Sequence, residues 1–181
     1  GLGDVYKRQE LSAKEVINDY GYEELLKIFY EYGEESNSKK IAETIINNRP
    51  IQTTNELVSV IESSLPRQNP KFTKSTVRKI FQAVRIEVNN EISEIIESLE
   101  TVKNFIKSNG IMVFLSYHSI EDRTVKQFID KETKGCTCDP KLAICICENV
   151  PLFKLGKYKK RTPTDNEIKK NPRSKSAVLR F

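Results

Sequence analysis

Residues 114–123, FLSYHSIEDR, set the only histidine of a 181-residue chain between an apolar run and a burst of charge. Ser116, Tyr117, His118, Ser119 and Asp122 gather hydroxyl, imidazole and carboxylate groups there, the types that accept, donate or orient a proton. A plainer role suits the same residues, because a polar side chain at a helix start can accept hydrogen bonds from the free amides. For Ser119 that capping role is the expectation. For His118 both roles stand open.

Two further groups could carry chemistry. Cys136, Cys138, Cys145 and Cys147 form C-x-C-x6-C-x-C in one loop. Four thiolates can hold a tetrahedral zinc that ties down a loop without its own core. Two disulfides are the rival in an oxidising compartment, and unligated thiols are the bland alternative. Gln82, Arg85 and Asn89, at i, i+3 and i+7, make a polar row along one edge of an apolar helical stripe. An amphipathic boundary accounts for such a row. The poor helix formers Asn89 and Asn90 argue instead for a use.

These residues need elements to position them. Ser12–Glu15 and Thr53–Glu56 are capping boxes, in which hydroxyl and carboxylate satisfy each other's orphan amides. The first opens a short helix ending near Gly21. A second helix carries Leu25, Leu26, Ile28 and Phe29 and closes at Gly33. A third runs over 38–48 through Ile41, Ala42, Ile45 and Ile46, and a fourth through Leu57, Val58, Ile61 and Leu65. Residues 66–75 read as a basic, proline-containing connection. From Val77 to about Lys107, Phe81, Val84, Val88, Ile92, Ile95, Leu99, Val102 and Ile106 fall on one stripe at helical spacing, predicting a single long helix. Residues 111–116 are continuously apolar, as in a buried strand of a parallel sheet. A helix over 121–131 follows, with further strands expected at 152–157 and 177–181. Helix, strand, turn and helix in succession predict an α/β fold. In such sheets ligands sit beyond the carboxyl ends of the strands, where His118 would then lie.

Composition narrows the classes. No run is apolar enough to span a bilayer and no secretory signal opens the chain, so a cytoplasmic protein is expected. From Lys154 onward ten Lys and Arg face two acids, a tail of +8, while the remainder carries twenty bases and twenty-three acids, −3. A basic block beside a near-neutral body suits phosphate. The sole methionine is Met112, and the opening GLGDVYKRQ is aperiodic; residues 1–10 read as an unrelated leader, and the chain as a fragment.

The runs FQAVRIEVNNEI (81–92), FLSYHSIEDRTVKQF (114–128) and NPRSKSAVLR (171–180), with YGEE (32–35), KKIAETI (39–45) and RPIQTTNEL (49–57), resemble the bacterial 16S ribosomal RNA cytosine-N4 methyltransferases of the RsmH (MraW) type. The resemblance covers residue 11 to the end. It implies part of a class I, Rossmann-like methyltransferase sheet with an inserted small helical domain: the insert at 11–75 and the closing part of the catalytic domain at 76–181. It also implies S-adenosyl-L-methionine as methyl donor, although the family's cofactor-binding residues have no counterpart in this chain. The small-subunit ribosomal RNA would be the partner, with a second copy of the chain open as another. His118, Ser116 and Asp122 would accept or orient the amino protons of the target cytosine. Gln82, Arg85, Asn89, Tyr117 and Arg123 would contact the substrate, and Lys157, Lys159, Lys160, Arg161 and Arg173 would meet RNA phosphates. A non-catalytic RNA-binding module with a zinc-stapled loop is the alternative; a protein–protein adaptor docking through the helical bundle is a third.

Overall fold

The computed structural model describes residues 11–66, 70–134, 138, 144, 147, 150–155 and 160–181. They fall into two compact units divided between Glu91 and Ile92. The chain is α/β, mostly helical with one small sheet.

The first unit is a bundle of α1 (Ala13–Asp19), α2 (Tyr22–Glu31), α3 (Ser38–Asn47), α4 (Thr54–Ser64) and α5 (Pro70–Val88). Both capping boxes form as their spacing requires, with Ser12 and Thr53 each accepting from the amide three residues on. Phe29, Leu25, Ile41, Ile45, Ile61 and Ile80 are fully buried in one continuous core. At about 25 cal/mol per Å² of apolar area removed from water, that core dominates the unit's stability.

Polar contacts fix the joints between these helices. The Arg49 guanidinium donates to the carbonyls of Ile17 at 2.7 Å and Tyr20 at 2.6 Å, closing the end of α1. Asn18 and Ile51 exchange two hydrogen bonds, at 2.9 and 2.8 Å. The RPIQTTNEL run is thereby a helix junction. At the α2–α3 turn a Cβ on Gly33 would stand 2.5 Å from the Phe29 carbonyl oxygen and 3.2 Å from that of Lys79, so only glycine fits. Glu35, 1% exposed, accepts from the Asn37 amide and side chain at 3.0 Å each and from Thr76 Oγ1 at 3.1 Å, with Lys79 Nζ 3.5 Å away. Burial pushes this carboxyl's pKa up. The Asn37 amide, the Lys79 charge and the Thr76 and Asn37 side chains outweigh it and hold the pKa below the usual carboxylate value.

The single long helix expected from residue 77 is in fact two. It starts earlier, at Pro70, inside the expected connection, and ends at Val88; α6 then spans Glu91–Val102, followed by a 3-10 turn at Lys103–Phe105. Asn90 takes φ 52°, a left-handed conformation that asparagine tolerates better than most residues. The apolar stripe continues through the break, which is why periodicity alone missed it.

The second unit holds most of α6, then β1 (Phe114–Ser116), α7 (Ser119–Thr133), β2 (Lys160–Arg161), α8 (Asp165–Lys170) and β3 (Val178–Arg180). The strand order is β1-β3-β2, with both pairings antiparallel: Leu115 faces Leu179, and Lys160 faces Arg180. This corrects the parallel, fully buried strand over 111–116. Met112 and Phe114 turn inward against Leu99, Val125 and Phe128, with the Phe114 and Phe128 rings edge to face at 6.3 Å. Ile111, Val113 and Leu115 alternate outward and are exposed. A continuous apolar run does not by itself reveal which faces are covered. Of the strand expected at 152–157, residues 152–155 are not a strand and 156–157 lie outside the described residues; the second partner of β3 is at 160–161.

Candidate functional site

The histidine stands at the end of β1, as the apolar run leading to it requires, and there it caps α7. His118 has extended backbone angles, and its Nδ1 accepts from the Glu121 amide at 3.3 Å. The Glu121 carboxylate reaches back, its Oε2 accepting from the amides of Tyr117 at 2.8 Å and His118 at 3.3 Å. This is a capping box with imidazole in the place of a hydroxyl. The capping residue is therefore His118; Ser119, expected in that role, is the first residue of the helix.

The cap constrains what the ring can do. Turning it over would set a carbon against the Glu121 amide, so the orientation is fixed by the bond it makes. With the Nδ1 lone pair engaged, the neutral ring carries its hydrogen on Nε2. Nε2 lies 3.1 Å from Glu121 Oε1 but has no directed hydrogen bond and no appreciable exposed surface. Such a ring holds the turn.

Asp122, one residue beyond Glu121, is clamped from the far end of the chain. Arg180 donates to both of its carboxylate oxygens, Nε to Oδ1 at 2.6 Å and Nη2 to Oδ2 at 2.8 Å. The guanidinium hydrogen bond leads the effects that hold the Asp122 pKa below its ordinary value. Burial opposes it, and the Arg180, Lys160 and Lys126 charges reinforce it. Lys160 stands beside this pair because β2 places it in register with Arg180. Ser116, 3% exposed, is the inward-facing end of β1. What remains open at the tip is Tyr117, 54% exposed, with Ser119 and Arg123 also at the surface.

The structure thus brings Ser116, Tyr117, His118, Asp122 and Lys160 together, and adds Glu121 and Arg180, which sequence reasoning passed over. Glu121 had a signal, a glutamate three residues after a capping residue. Arg180 had none, being 58 residues from its partner. Arg161 lies over the Phe181 ring at 5.6 Å, and Arg173 is exposed after the Asn171 cap. In the first unit, Arg85 makes a double hydrogen bond to Glu91 at 2.8 and 2.9 Å, and Asn89 joins the same carboxylate at 3.1 Å. Gln82 is half-buried on α5. Lys157, Lys159, Cys136 and Cys145 lie outside the described residues; among those described, no group of three or more His, Cys, Asp or Glu is arranged to hold a metal ion.

Residues 5–181 match the family described as MraW methylase.

The chain belongs to that family.

Among relatives, it is 41% identical over 172 residues to the ribosomal RNA small subunit methyltransferase H of Dehalococcoides mccartyi, covering 95% of this chain and 49% of that protein. It is 42% identical over 177 residues to the protein of the same name from Caldicellulosiruptor saccharolyticus, covering 96% and 57%. The corresponding protein of Halothermothrix orenii is 37% identical over 177 residues, again covering 96% and 57%. The chain spans about half the length of the curated relatives it matches. The runs on which the family resemblance was read are, in this chain, largely its junctions: the Gly33–Glu35 turn, the Arg49 clasp, the Asn90 break and the His118 cap.

A hollow of about 680 Å³ in the second unit is lined by Met112, Phe114, Phe128, Phe153 and Phe181, at the end of α7 away from His118. Its carboxylate, Glu132, is already bound by Lys103 at 2.9 Å. Among the described lining residues no acid is free to hold a ribose, so nothing there marks the hollow as a nucleoside site. Among the described residues no helix is long and apolar enough to cross a membrane.

Proposed function

We propose that this chain forms the base-accepting side of an S-adenosylmethionine-dependent methyltransferase acting on the exocyclic N4 of a cytidine in small-subunit (16S) ribosomal RNA. The observation that carries the reading is the β1–His118–α7 tip, built from the longest of the motifs that the chain shares in kind with the family. The names of its relatives give the reaction class and the substrate.

The chemistry suits a braced wall. The amino nitrogen of cytosine is a weak nucleophile because its lone pair is delocalised into the ring. Transfer then depends on holding the base in line with the sulfonium, and orientation of this kind supplies much of a barrier reduction. A base drawn out of structured RNA is commonly stacked on an aromatic side chain. Tyr117 offers that face. His118 and Glu121 fix its backbone, Asp122 and Arg180 fasten the helix start to β3, and Ser116 anchors the strand. In this reading the three residues first expected to handle the proton are positioning residues, and the exposed aromatic beside them meets the base. Lys160, Arg161 and Arg173 would meet phosphates and make binding fall with salt. S-adenosylmethionine supplies the methyl group when bound, and no residue of this chain is assigned to it.

The test grafts this chain in place of the matching part of the Caldicellulosiruptor saccharolyticus relative and assays the hybrid on small ribosomal subunits. Appearance of N4-methylcytidine in the 16S RNA, lost with Tyr117→Ala but retained with Tyr117→Phe, is the expected result. A folded hybrid that leaves the RNA unmethylated contradicts the reading.

A further inference from the structure

Helix α5 carries a second charged feature that the tip does not use. Lys71, Lys74, Arg78, Gln82 and Arg85 follow one another at intervals of three or four residues. At 100° per residue they fall within an arc of about 80°, one line along the helix. Thr76, Ile80, Ala83 and Val84, on the other side, are buried in the bundle core. At 1.5 Å per residue the line runs roughly 21 Å. Lys71, Lys74, Arg78 and Arg85 are exposed, and Gln82 is half-buried.

The charges are not arranged as a solvated helix face usually is. Such faces alternate signs and set acids in the first turn, where the helix dipole favours them. The first turn of α5 has no acid, and the helix contains five cations against one carboxylate, Glu87, which turns away to accept from Tyr20 Oη at 2.8 Å. Lys79 is engaged by Glu35 and Arg85 by Glu91. Lys74 and Arg78, at the middle of the line and without an ion pair among the described residues, make the N-terminal half of α5 a concentrated positive track.

We propose that this track binds the phosphate backbone of RNA, with Lys74 and Arg78 as its principal contacts and Gln82 hydrogen-bonding alongside. A linear array of charges along a rigid helix suits a polymer with regularly spaced phosphates. A membrane surface fits less well, because the apolar face such a helix would insert is buried in the core. The choice of RNA as the polyanion rests on the proposed function; the existence of the track does not.

The experiment measures the affinity of the chain for a hairpin of small-subunit ribosomal sequence over a series of salt concentrations. The double variant Lys74→Gln/Arg78→Gln is compared with Lys14→Gln/Lys27→Gln, which removes the same charge from exposed positions on α1 and α2. Each phosphate contact contributes about 0.7–0.9 to the slope of log K against log salt. The α5 double variant is expected to lose roughly 1.4–1.8 of slope and the control none, with both retaining the parental melting temperature. Equal slopes in the two variants, or a slope loss of the same size in the control, overturn the proposal. So does α5-dependent binding to phosphatidylserine vesicles in the absence of RNA binding. An unrelated hairpin bound with the same α5-dependent slope supports the track and counts against the ribosomal reading, which separates the two failures.

Discussion

The two units of this chain solve the same problem unequally. In the first, five helices enclose one core in which Val16, Leu25, Phe29, Ile41, Ala42, Ile45, Ile61, Ile80 and Ala83 have no exposure at all. In the second, the core is Leu99, Val125 and Phe128 with a partly covered margin, while Phe105, Ile111, Val113 and Leu115 stand open to solvent. The first unit is held by burial. The second is held by polar ties across long sequence separations: Asp122 to Arg180 and Glu132 to Lys103. A large closed core tolerates a solvated surface, whereas a thin one makes each tie count. The contrast also separates two uses of the runs quoted from the sequence, which in one unit lock helix joints and in the other shape an exposed tip.

The sharpest way to break this comparison is to cut into the closed core. Phe29→Ala should cost about 3–5 kcal/mol, as for other fully buried aromatic residues. It should collapse hydrogen-exchange protection throughout 11–91 while leaving α7 near its parental protection. Loss confined to α7, or no loss, would show that the burial ledger has been assigned to the wrong unit.

Removing one partner of the clamp is next in size. Asp122→Ala leaves the Arg180 guanidinium without its carboxylate in a setting where both side chains are largely covered. It should destabilise the second unit by about 1–3 kcal/mol, more than the double change Asp122→Ala/Arg180→Met. Urea denaturation followed at α7 distinguishes them; equal losses would mean the pair contributes only its packing.

Acid should then touch both units, gently. The folded pKa values of Glu35 and Asp122 lie below their ordinary values. A depressed carboxylate contributes stability that is complete above its unfolded pKa, about 4, and is lost as pH falls through the folded value. Thermal midpoints should therefore be flat from neutrality down to about pH 5 and fall below it. Glu35→Gln should flatten the fall in the first unit alone. A fall beginning near neutrality would point to some other group.

What the sequence disclosed follows from how far apart the cooperating residues lie. The Ser12–Glu15 and Thr53–Glu56 boxes and the burial of Ile41 and Ile45 were legible, because caps and amphipathic faces are written within one or two turns. The Asn89–Asn90 break was half legible: asparagine there was recognised as odd, but the apolar stripe ran on past it. The antiparallel sheet was not, since β1 and β3 lie more than sixty residues apart and the alternation of Ile111, Val113 and Leu115 is hidden in a run apolar on both faces. At the site, the location of His118 at a strand end was readable and its capping role was an open alternative. The commitment of Asp122 to Arg180 had no local trace.

The account depends most on the imidazole being a cap that braces Tyr117. His118 is the only histidine, so its ring nitrogens can be observed without assignment ambiguity in a long-range nitrogen–proton correlation spectrum of labelled protein. At about pH 8, above the range where an ordinary imidazole is charged, the spectrum should show a protonated Nε2 and a bare, hydrogen-bonded Nδ1. Replacing Glu121 with alanine, which keeps the backbone amide that Nδ1 accepts from, should leave that preference in place. A proton resident on Nδ1, or two tautomers in fast exchange in the unaltered chain, would contradict the cap and return His118 to the role of a free acid–base group.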